Sequence, residues 1–220
     1  MHWVYYLGRF LSKVILYSLS DWQVKGRENV PKQGPLLIVC NHLHVVDPPI
    51  IAASIQIKTV IMAKEELYRG RWSRFWVQNF GTFPVRRGVP DRKALSQAEY
   101  WLKQGVSLIM FPEGKRSNTI EMQPALLGSA LIASRLSIPV LPVSITGTEK
   151  LREPGWWLRR PRITVTIGQP FYTPPADGKL TKDGLTQLTS YIMEYIAGLL
   201  PPEYQGVYAT GENAEDRKGE

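Results

Sequence analysis

The chain is poor in cysteine and histidine. Cys40 is the single cysteine among 220 residues, which excludes an intramolecular disulfide and a zinc knuckle and fits a reducing, cytosolic compartment. With it, the three histidines make none of the paired Cys and His spacings of a structural zinc site, so we predict that the chain holds no metal ion.

The chain also lacks a long uninterrupted apolar run. Its most apolar stretch, residues 2–19, is broken by Arg9 and Lys13, which are four residues apart and therefore share one helical face. A bilayer span needs about 20 apolar residues, and a charge at its centre costs about 3 kcal/mol. We therefore predict an amphipathic helix in the membrane interface, with Trp3 and Phe10 on the opposite, apolar face. The alternative is a helix packed on its own domain, because periodicity does not say what covers the apolar face.

Positive charge exceeds negative charge. The 27 Lys and Arg against 19 Asp and Glu give a net charge of +8, which favours anionic partners such as phosphates, nucleic acid or acidic lipid surfaces. A length of 220 residues suits one domain that buries a continuous core. We expect a membrane-interface helix at 1–20, which no small-residue cleavage site follows, one domain at 21–205, and a disordered tail at 206–220.

Short apolar runs alternate with helical patterns along the rest of the chain. The apolar runs predict strands at 35–40, 58–63, 83–85, 107–111, 139–145 and 162–168. Helical patterns lie at 48–56, 73–80, 91–104, 125–136 and 181–199. This alternation predicts an α/β fold with a mixed, mostly parallel sheet flanked by helices. Pro139 and Pro142 fall in one predicted strand and indicate irregular sheet edges.

The octapeptide NHLHVVDP at 41–48 joins a predicted strand to a predicted helix. His42 and Asp47 flank this loop, and a contact between them would fix the imidazole tautomer and leave the other ring nitrogen free to accept a hydroxyl proton. Aspartate before proline is also a common helix start, so helix capping is an alternative role for Asp47. His44 is a rival base in the same loop. Cys40 ends a buried strand with no nearby positive residue and is interpreted as a core residue.

The segment FPEGKRS at 111–117 has the residue types of an anion clamp. Gly114 permits backbone N–H groups to approach an oxyanion closely, Arg116 can bind a phosphate through two hydrogen bonds, and Lys115 adds a charge. Glu113 can hydrogen-bond a substrate hydroxyl or hold the arginine. The alternative is a surface turn with solvated charges.

A further basic segment can line the same groove. GTFPVRRG at 81–88 places Arg86 and Arg87 directly after a predicted strand. An arginine pair is also a common solvated surface feature.

Tryptophan and arginine lie together in EPGWWLRRPR at 153–162. Trp156 and Trp157 have the aromatic character of residues at headgroup level, and the neighbouring arginines can meet anionic lipid. We predict a second membrane-facing surface here. The alternative is that both tryptophans pack in the core beside a solvated basic strand edge.

The order of these segments resembles a known family. NHLHVVDP, GTFPVRRG, FPEGKRS and IPVLPV are similar to the four successive motifs of the 1-acylglycerol-3-phosphate acyltransferases, and the resemblance runs over residues 22–170. The resemblance implies that the family's catalytic pair, second-motif arginine and Glu-Gly-x-Arg segment correspond to His42, Asp47, Arg87, Glu113, Gly114 and Arg116. Lys64, in MAKEEL, also resembles a family lysine and would line the groove; the alternative is a solvated lysine at the start of a helix.

What the resemblance implies is non-covalent acyl transfer at a membrane surface. His42 would deprotonate the free hydroxyl of a lysophosphatidate, which attacks an acyl thioester and gives phosphatidic acid for phospholipid synthesis. The donor would be acyl-CoA or acyl carrier protein, and no further cofactor is implied. We expect a membrane-associated enzyme at the cytoplasmic face with a lysophospholipid acceptor. Nucleic acid is not expected as a partner, because aromatic and basic residues are not interleaved along a strand.

The chain departs from the family pattern near the anion clamp. Lys115 stands where threonine is usual. A phenylalanine and lysines are frequent before the position of Gly128, where this chain has Ala125, Leu126 and Leu127. We expect Lys115 to supply the missing charge. Two alternatives stay open: an acyltransferase acting on another lysolipid or on glycerol-3-phosphate, and a thioesterase that uses the same base on water.

Overall fold

The computed structural model of the chain describes residues 1–86, 89, 91–173 and 181–209. Within these residues the α-helices are α1 (Trp3–Leu19), α2 (Asp47–Ser54), α3 (Arg71–Asn79), α4 (Arg92–Lys103), α5 (Gly128–Leu136), α6 (Trp156–Arg159), α7 (Lys182–Ala197) and α8 (Pro202–Gln205). The strands are β1 (Asp21–Lys25), β2 (Leu37–Cys40), β3 (Thr59–Lys64), β4 (Thr82–Val85), β5 (Ser107–Met110), β6 (Val140–Thr146) and β7 (Arg162–Ile167). Short 3-10 helices lie at Arg27–Asn29, Glu65–Tyr68, Thr148–Arg152 and Gly206–Tyr208.

The strands that the structure describes form one sheet in the order β1-β7-β6-β2-β5-β3-β4. Neighbouring strands are parallel throughout this sheet except for β6 and β7, which are antiparallel. The predicted fold class, an α/β fold with a mixed, mostly parallel sheet flanked by helices, is confirmed. The helix expected at the N-terminus is present as α1.

Apolar side chains are buried on both faces of this sheet. Along β2, Leu37 and Val39 belong to one core cluster and Ile38 and Cys40 to the other, as the alternation of a strand requires. All four are 0% exposed. Full burial of a side chain the size of leucine contributes about 1.5–3 kcal/mol. Burial also raises the pKa of the Cys40 thiol well above its usual value, as expected for a core cysteine.

The sheet brings the motif-bearing loops to one edge. β6, β2, β5, β3 and β4 run in the same direction, because each neighbouring pair among them is parallel. Their carboxyl ends meet at one edge, hereafter the carboxyl edge, which is where open α/β sheets bind ligands. The loops that carry the first, second and third motifs follow β2, β4 and β5.

The expectation that proline marks an irregular sheet edge is wrong for Pro142. This residue lies in β6, between β2 and β7, where it pairs with Val39. Its carbonyl oxygen accepts a hydrogen bond from the Gly168 N–H at 2.9 Å, on the side of β7. The register with β7 begins only at the next residue, Val143. Pro142, which has no N–H group to donate, therefore lies where the hydrogen bonds between β6 and β7 end, so the absent donor costs little stability.

The sequence patterns do not predict β1, α6 or α8. β1 has the polar sequence DWQVK and lies at the end of the sheet order, where only Trp22 is buried. The helix predicted at 125–136 begins at Gly128. At the predicted tail, Gly206–Tyr208 forms a 3-10 helix and the Tyr208 hydroxyl accepts from the Ala125 N–H at 3.0 Å. Residues 210–220 lie outside the described residues.

Helix α1 packs on the domain through a mixed face, which buries Val4, Tyr5 and Leu16 and also carries Arg9. Tyr5 is fully buried, and its hydroxyl accepts from the Thr59 N–H at 3.0 Å. Arg9 donates to the carbonyl oxygens of Ile55 and Ile57, just beyond the end of α2. Large apolar side chains of α1 face away from the domain at Trp3, Leu7, Phe10, Leu11, Val14 and Ile15. No helix in the described part of the chain has both the length and the hydropathy needed to cross a bilayer.

Candidate active site

Asn41 anchors the loop that follows β2. Its Nδ2 donates to the Ile145 carbonyl oxygen and its Oδ1 accepts from the Ile145 N–H, each at 2.9 Å. These two hydrogen bonds satisfy the backbone N–H and C=O groups of Ile145 in β6. The backbone of His42 is therefore left to turn toward the loop after β5.

The backbone of His42 joins the first motif to the third. Its N–H donates to Glu113 Oε1 at 3.0 Å, and its carbonyl oxygen accepts from the Ser117 N–H at 2.8 Å. The imidazole stacks on Phe111, with ring centroids 4.2 Å apart. Two loops that are 71 residues apart in sequence are thereby held together.

His42 and Asp47 form a buried pair. Nδ1 of His42 lies 2.8 Å from Oδ2 of Asp47, and the two residues are 4% and 0% exposed. The carboxylate accepts a hydrogen bond from Nδ1–H, so a neutral ring has its free electron pair on Nε2. Nε2 makes no hydrogen bond to a residue that the structure describes. This is the arrangement of an imidazole oriented as a general base.

Asp47 is the first residue of α2, yet its side chain does not cap that helix. Besides His42, its Oδ2 accepts from the N–H groups of Leu43 at 2.7 Å and His44 at 2.6 Å. Its Oδ1 is buried and has no hydrogen-bond partner among the described residues. The carboxylate therefore shapes the loop and orients the imidazole, while its charge also favours the start of α2.

His44, the rival base, lacks such an orienting partner. Its Nδ1 is buried without a hydrogen bond to the described part of the chain. Burial is the main cause that lowers the pKa of His44, and the nearby charges of Arg152 and Arg116 act in the same direction, while Asp47 opposes them. The geometry favours His42 over His44 as the base.

Glu113 holds backbone groups of two loops. Its carboxylate is 3% exposed and accepts from the His42 N–H through Oε1 and from the Gln123 N–H through Oε2 at 2.9 Å. Burial raises the pKa of Glu113 from 4.5 to about 7, whereas the two hydrogen bonds act in the opposite direction. Both oxygens thus meet backbone N–H groups rather than an arginine of the described residues.

Gly114 has a left-handed backbone, with φ at 69°. Its N–H donates to the Phe111 carbonyl oxygen at 3.0 Å and closes a turn, so this group is not free for an oxyanion. A Cβ atom here would lie 2.5 Å from Cδ1 of Leu126. Glycine is therefore required by the turn and by close packing against Leu126.

Arg152 is a site residue that the motifs do not reveal. It belongs to the 3-10 helix after β6, and its Nη2 donates to the carbonyl oxygens of Leu43 and, at 3.0 Å, Ser117. The guanidinium therefore joins the loops of the first and third motifs from a third direction. No local signal in the sequence around Arg152 indicates this contact.

Comparison with known proteins identifies the family. The family model described as Acyltransferase matches residues 21–146. The chain belongs to the acyltransferase family. It is 27% identical over 188 residues to the 1-acyl-sn-glycerol-3-phosphate acyltransferase of Bacillus subtilis, and this alignment covers 85% of this chain and 92% of that protein. It is 32% identical over 165 residues to the protein of the same name from Streptococcus pneumoniae, and this alignment covers 70% of this chain and 60% of the relative.

A solved structure shares the fold. The 1-acyl-sn-glycerophosphate (LPA) acyltransferase, PlsC, from Thermotoga maritima aligns with a TM-score of 0.67 at 28% identity, over 89% of this chain and 78% of that chain. The predicted resemblance of the chain to this family is thereby confirmed.

Two cations of the acyltransferase are exposed near the buried pair. Lys115 and Arg116 follow Gly114 in the loop after β5, and neither side chain makes a hydrogen bond or an ion pair with another described residue. They differ in this from Glu113 and Ser117, which are buried and hydrogen-bonded. Lys115 and Arg116 are available to an anionic ligand.

The other predicted basic residues are less closely tied to the site. Lys64 ends β3 and pairs with Glu66 Oε1 at 3.2 Å. Arg86 follows β4 and lies 3.7 Å from Asp91 Oδ2. Both stand on the carboxyl edge, one and two strands beyond β5. Arg87 lies outside the described residues.

The acyltransferase exposes part of the predicted tryptophan surface. In α6, Trp157 is 51% exposed and Trp156 is half-buried against it, with ring centroids 6.2 Å apart. The neighbouring arginines already have protein partners, since Arg159 pairs with Glu153 at 2.6 Å and Arg160 donates to the Tyr17 carbonyl oxygen at 3.1 Å. α6 therefore lies beside the end of α1.

Proposed function

We propose that this acyltransferase moves a fatty acyl group from an acyl thioester to the free hydroxyl of 1-acylglycerol-3-phosphate and so makes phosphatidic acid. The observation that carries the proposal is the buried pair of His42 and Asp47 beside the exposed cations Lys115 and Arg116. The names of the relatives from Bacillus subtilis and Streptococcus pneumoniae support the same acceptor.

The chemical step is a direct transfer with one base. His42 Nε2 takes the proton of the acceptor hydroxyl, and the oxygen attacks the thioester carbonyl carbon. The new C–O bond forms, the C–S bond breaks, and the thiolate leaves with the proton that the imidazolium returns. Asp47 holds the ring and stabilises its charged form. General-base assistance of this kind contributes about 10²- to 10⁴-fold to the rate.

Lys115 and Arg116 are proposed to bind the acceptor phosphate. A guanidinium can bind it through two parallel hydrogen bonds, while the ammonium adds a point charge. Lys115 would thus supply the charge that other family members have before the position of Gly128. The acyl group comes with acyl-CoA or acyl carrier protein, so the step needs no further cofactor.

Membrane docking through α1 is the second part of the proposal. Trp3 and Phe10 are 58% and 62% exposed, on the side of α1 that faces away from the domain. Such a surface suits the bilayer interface, where the substrates reside. Lys13, which is half-buried, and Trp156 and Trp157 would meet headgroups at the cytoplasmic face. Arg9 is proposed to hold α1 on the domain rather than to touch lipid.

The docking proposal is tested by vesicle sedimentation. The variant Trp3→Ser with Phe10→Ser should leave the vesicle pellet, because two large exposed rings are lost while the buried contact of Tyr5 remains. Tyr100→Ser, on the exposed side of α4, is the matched control and should bind as the wild type does. Equal binding of all three proteins would remove α1 from the docking surface.

The reaction is tested with labelled acyl-CoA and lysophosphatidate in detergent. Wild-type protein should form labelled phosphatidate, release one thiol for each product molecule and release little thiol without acceptor. The His42→Ala variant, expressed and purified in the same way, controls for contaminating acyltransferases of the expression host. Thiol release that ignores the acceptor and gives free fatty acid would instead identify a thioesterase.

A further inference from the structure

Helix α3 exposes an aromatic stripe. No residue of this helix is buried, and Trp72 is 81%, Phe75 43% and Trp76 48% exposed. Residues spaced by three and four positions share one helical face, so the three rings form a continuous apolar stripe. A helix of a soluble domain ordinarily packs such a stripe against the core, whereas here it faces away from the sheet.

The orientation of α3 is fixed by its neighbours. Thr82 Oγ1, at the start of β4, donates to the Val77 carbonyl oxygen at 2.8 Å. Phe80, which follows the helix, packs against Gly8 so closely that a Cβ atom on the glycine would lie 2.6 Å from the ring. The stripe therefore cannot turn inward without breaking the contact between α3 and α1.

The stripe adjoins the exposed face of α1. The ring of His2 meets that of Phe75 edge to face, with centroids 6.3 Å apart. His2 also stands beside Trp3, with ring centroids 5.5 Å apart. The aromatic side chains of the two helices thus form one surface. α3 follows β3 through Glu65–Tyr68, so this surface extends toward the carboxyl edge.

Charge distinguishes the possible occupants of this surface. The segment 69–79 contains three arginines and no acidic residue. The side chains of Arg71 and Arg74 are exposed and have no hydrogen bond or ion pair with another described residue, unlike Arg159 and Arg160 of α6. A second copy of the chain would bring arginines of like charge together. Anionic lipid headgroups complement them, and tryptophan favours the headgroup level.

We propose that α3 is a second bilayer-contacting helix, which binds membranes containing anionic lipid through Trp72, Phe75 and Trp76 with Arg71 and Arg74. The proposal deepens the docking of α1 and rests on it. A single interfacial helix leaves the domain free to roll about the helix axis. Contact through two helices fixes that rotation, and with it the position of the carboxyl edge relative to the membrane surface.

The test is vesicle sedimentation of the full chain with phosphatidylcholine alone and with phosphatidylcholine mixed with phosphatidylglycerol. Trp72→Ser with Trp76→Ser should weaken binding to both vesicles by about tenfold or more. Arg71→Gln with Arg74→Gln should weaken binding about tenfold only to the anionic vesicles. Tyr100→Ser is the matched control and should match the wild type. Both pairs replace exposed side chains, so equal thermal unfolding should show that the fold is intact.

Three results separate this proposal from its alternatives. Wild-type binding by both paired variants would overturn it. A different result would also overturn it: the wild type is a dimer in analytical ultracentrifugation, and Trp72→Ser with Trp76→Ser dissociates the dimer but leaves vesicle binding unchanged. The stripe would then bind a second copy of the chain. Acyl transfer to detergent-dispersed lysophosphatidate should be equal in the wild type and in all of these variants. Absence of acyl transfer by the wild type would contradict the proposed reaction, whereas unchanged vesicle binding by the α3 variants would contradict the docking of α3.

Discussion

Replacement of Glu113 by glutamine tests whether this residue positions the base or binds substrate. In the wild type one carboxylate accepts from two N–H groups, the buried one of His42 and the partly buried one of Gln123. Glutamine offers one acceptor oxygen, so one N–H group loses its partner at a cost of about 1–3 kcal/mol. Urea unfolding should show this loss, whereas Glu28→Gln, at an exposed position of the 3-10 helix Arg27–Asn29, should change the free energy of unfolding by less than about 0.5 kcal/mol.

The kinetic consequence separates the two roles of Glu113. If the glutamine variant shifts His42, kcat should fall, because a displacement of about 1 Å of a catalytic group can cost about 10²-fold in rate. The Michaelis constant for the acceptor should then change little. A raised Michaelis constant with unchanged kcat would refute the positioning role and restore the hydrogen bond from Glu113 to a substrate hydroxyl.

The pH dependence of stability gives an independent check on Glu113. Its pKa is raised in the folded protein from 4.5 to about 7, so the native state holds the proton more tightly than the unfolded chain. The stability from this group is complete below pH 4.5 and is lost as pH rises through 7. At about 1.4 kcal/mol per pH unit the loss is about 3 kcal/mol. The free energy of unfolding should therefore fall between these pH values in the wild type more than in Glu113→Gln, and parallel curves would contradict the raised pKa.

Three further substitutions test other contacts. Asp47→Asn should lower kcat by about 10²- to 10⁴-fold, because the imidazolium loses its counter-charge, and a loss under tenfold in steady-state assays would speak against the pair. Lys115→Ala should raise the Michaelis constant for lysophosphatidate with little change in kcat, and an unchanged constant would remove Lys115 from the phosphate site. Arg152→Leu should lower both kcat and the melting temperature, since two loop carbonyls lose a shared donor, and Arg152→Lys should recover part of both. An unaltered kcat in Arg152→Leu would limit that residue to folding.

The sequence carries the local part of the site. His42 closely follows a strand pattern, and Asp47 precedes the proline that starts a helix pattern. The two residues therefore lie at the two ends of one strand-to-helix loop. A short loop can close only in a few ways, so their contact follows from spacing. The preference for His42 over His44 does not, because it depends on which ring faces the Asp47 carboxylate once the loop bends.

The long-range part of the site could not be read from the sequence. Glu113 holds the backbone of His42 only because β5 lies next to β2, and strand order is not written in the pattern of any one strand. Arg152 reaches Leu43 across 109 residues for the same reason. For α1, periodicity separates Arg9 from Phe10 but cannot say which face turns inward. The face with Arg9 does, because it also carries Val4 and Leu16, which are buried, and because the carbonyl groups after α2 provide acceptors for Arg9.

The most direct test of the central claim is a comparison of turnover in His42→Ala and His44→Ala with acyl-CoA and lysophosphatidate. The account predicts that His42→Ala loses phosphatidate formation by about 10²-fold or more, while His44→Ala, whose ring has no orienting carboxylate, keeps most of it. Full activity in His42→Ala together with loss in His44→Ala would contradict the assignment of His42 as the base.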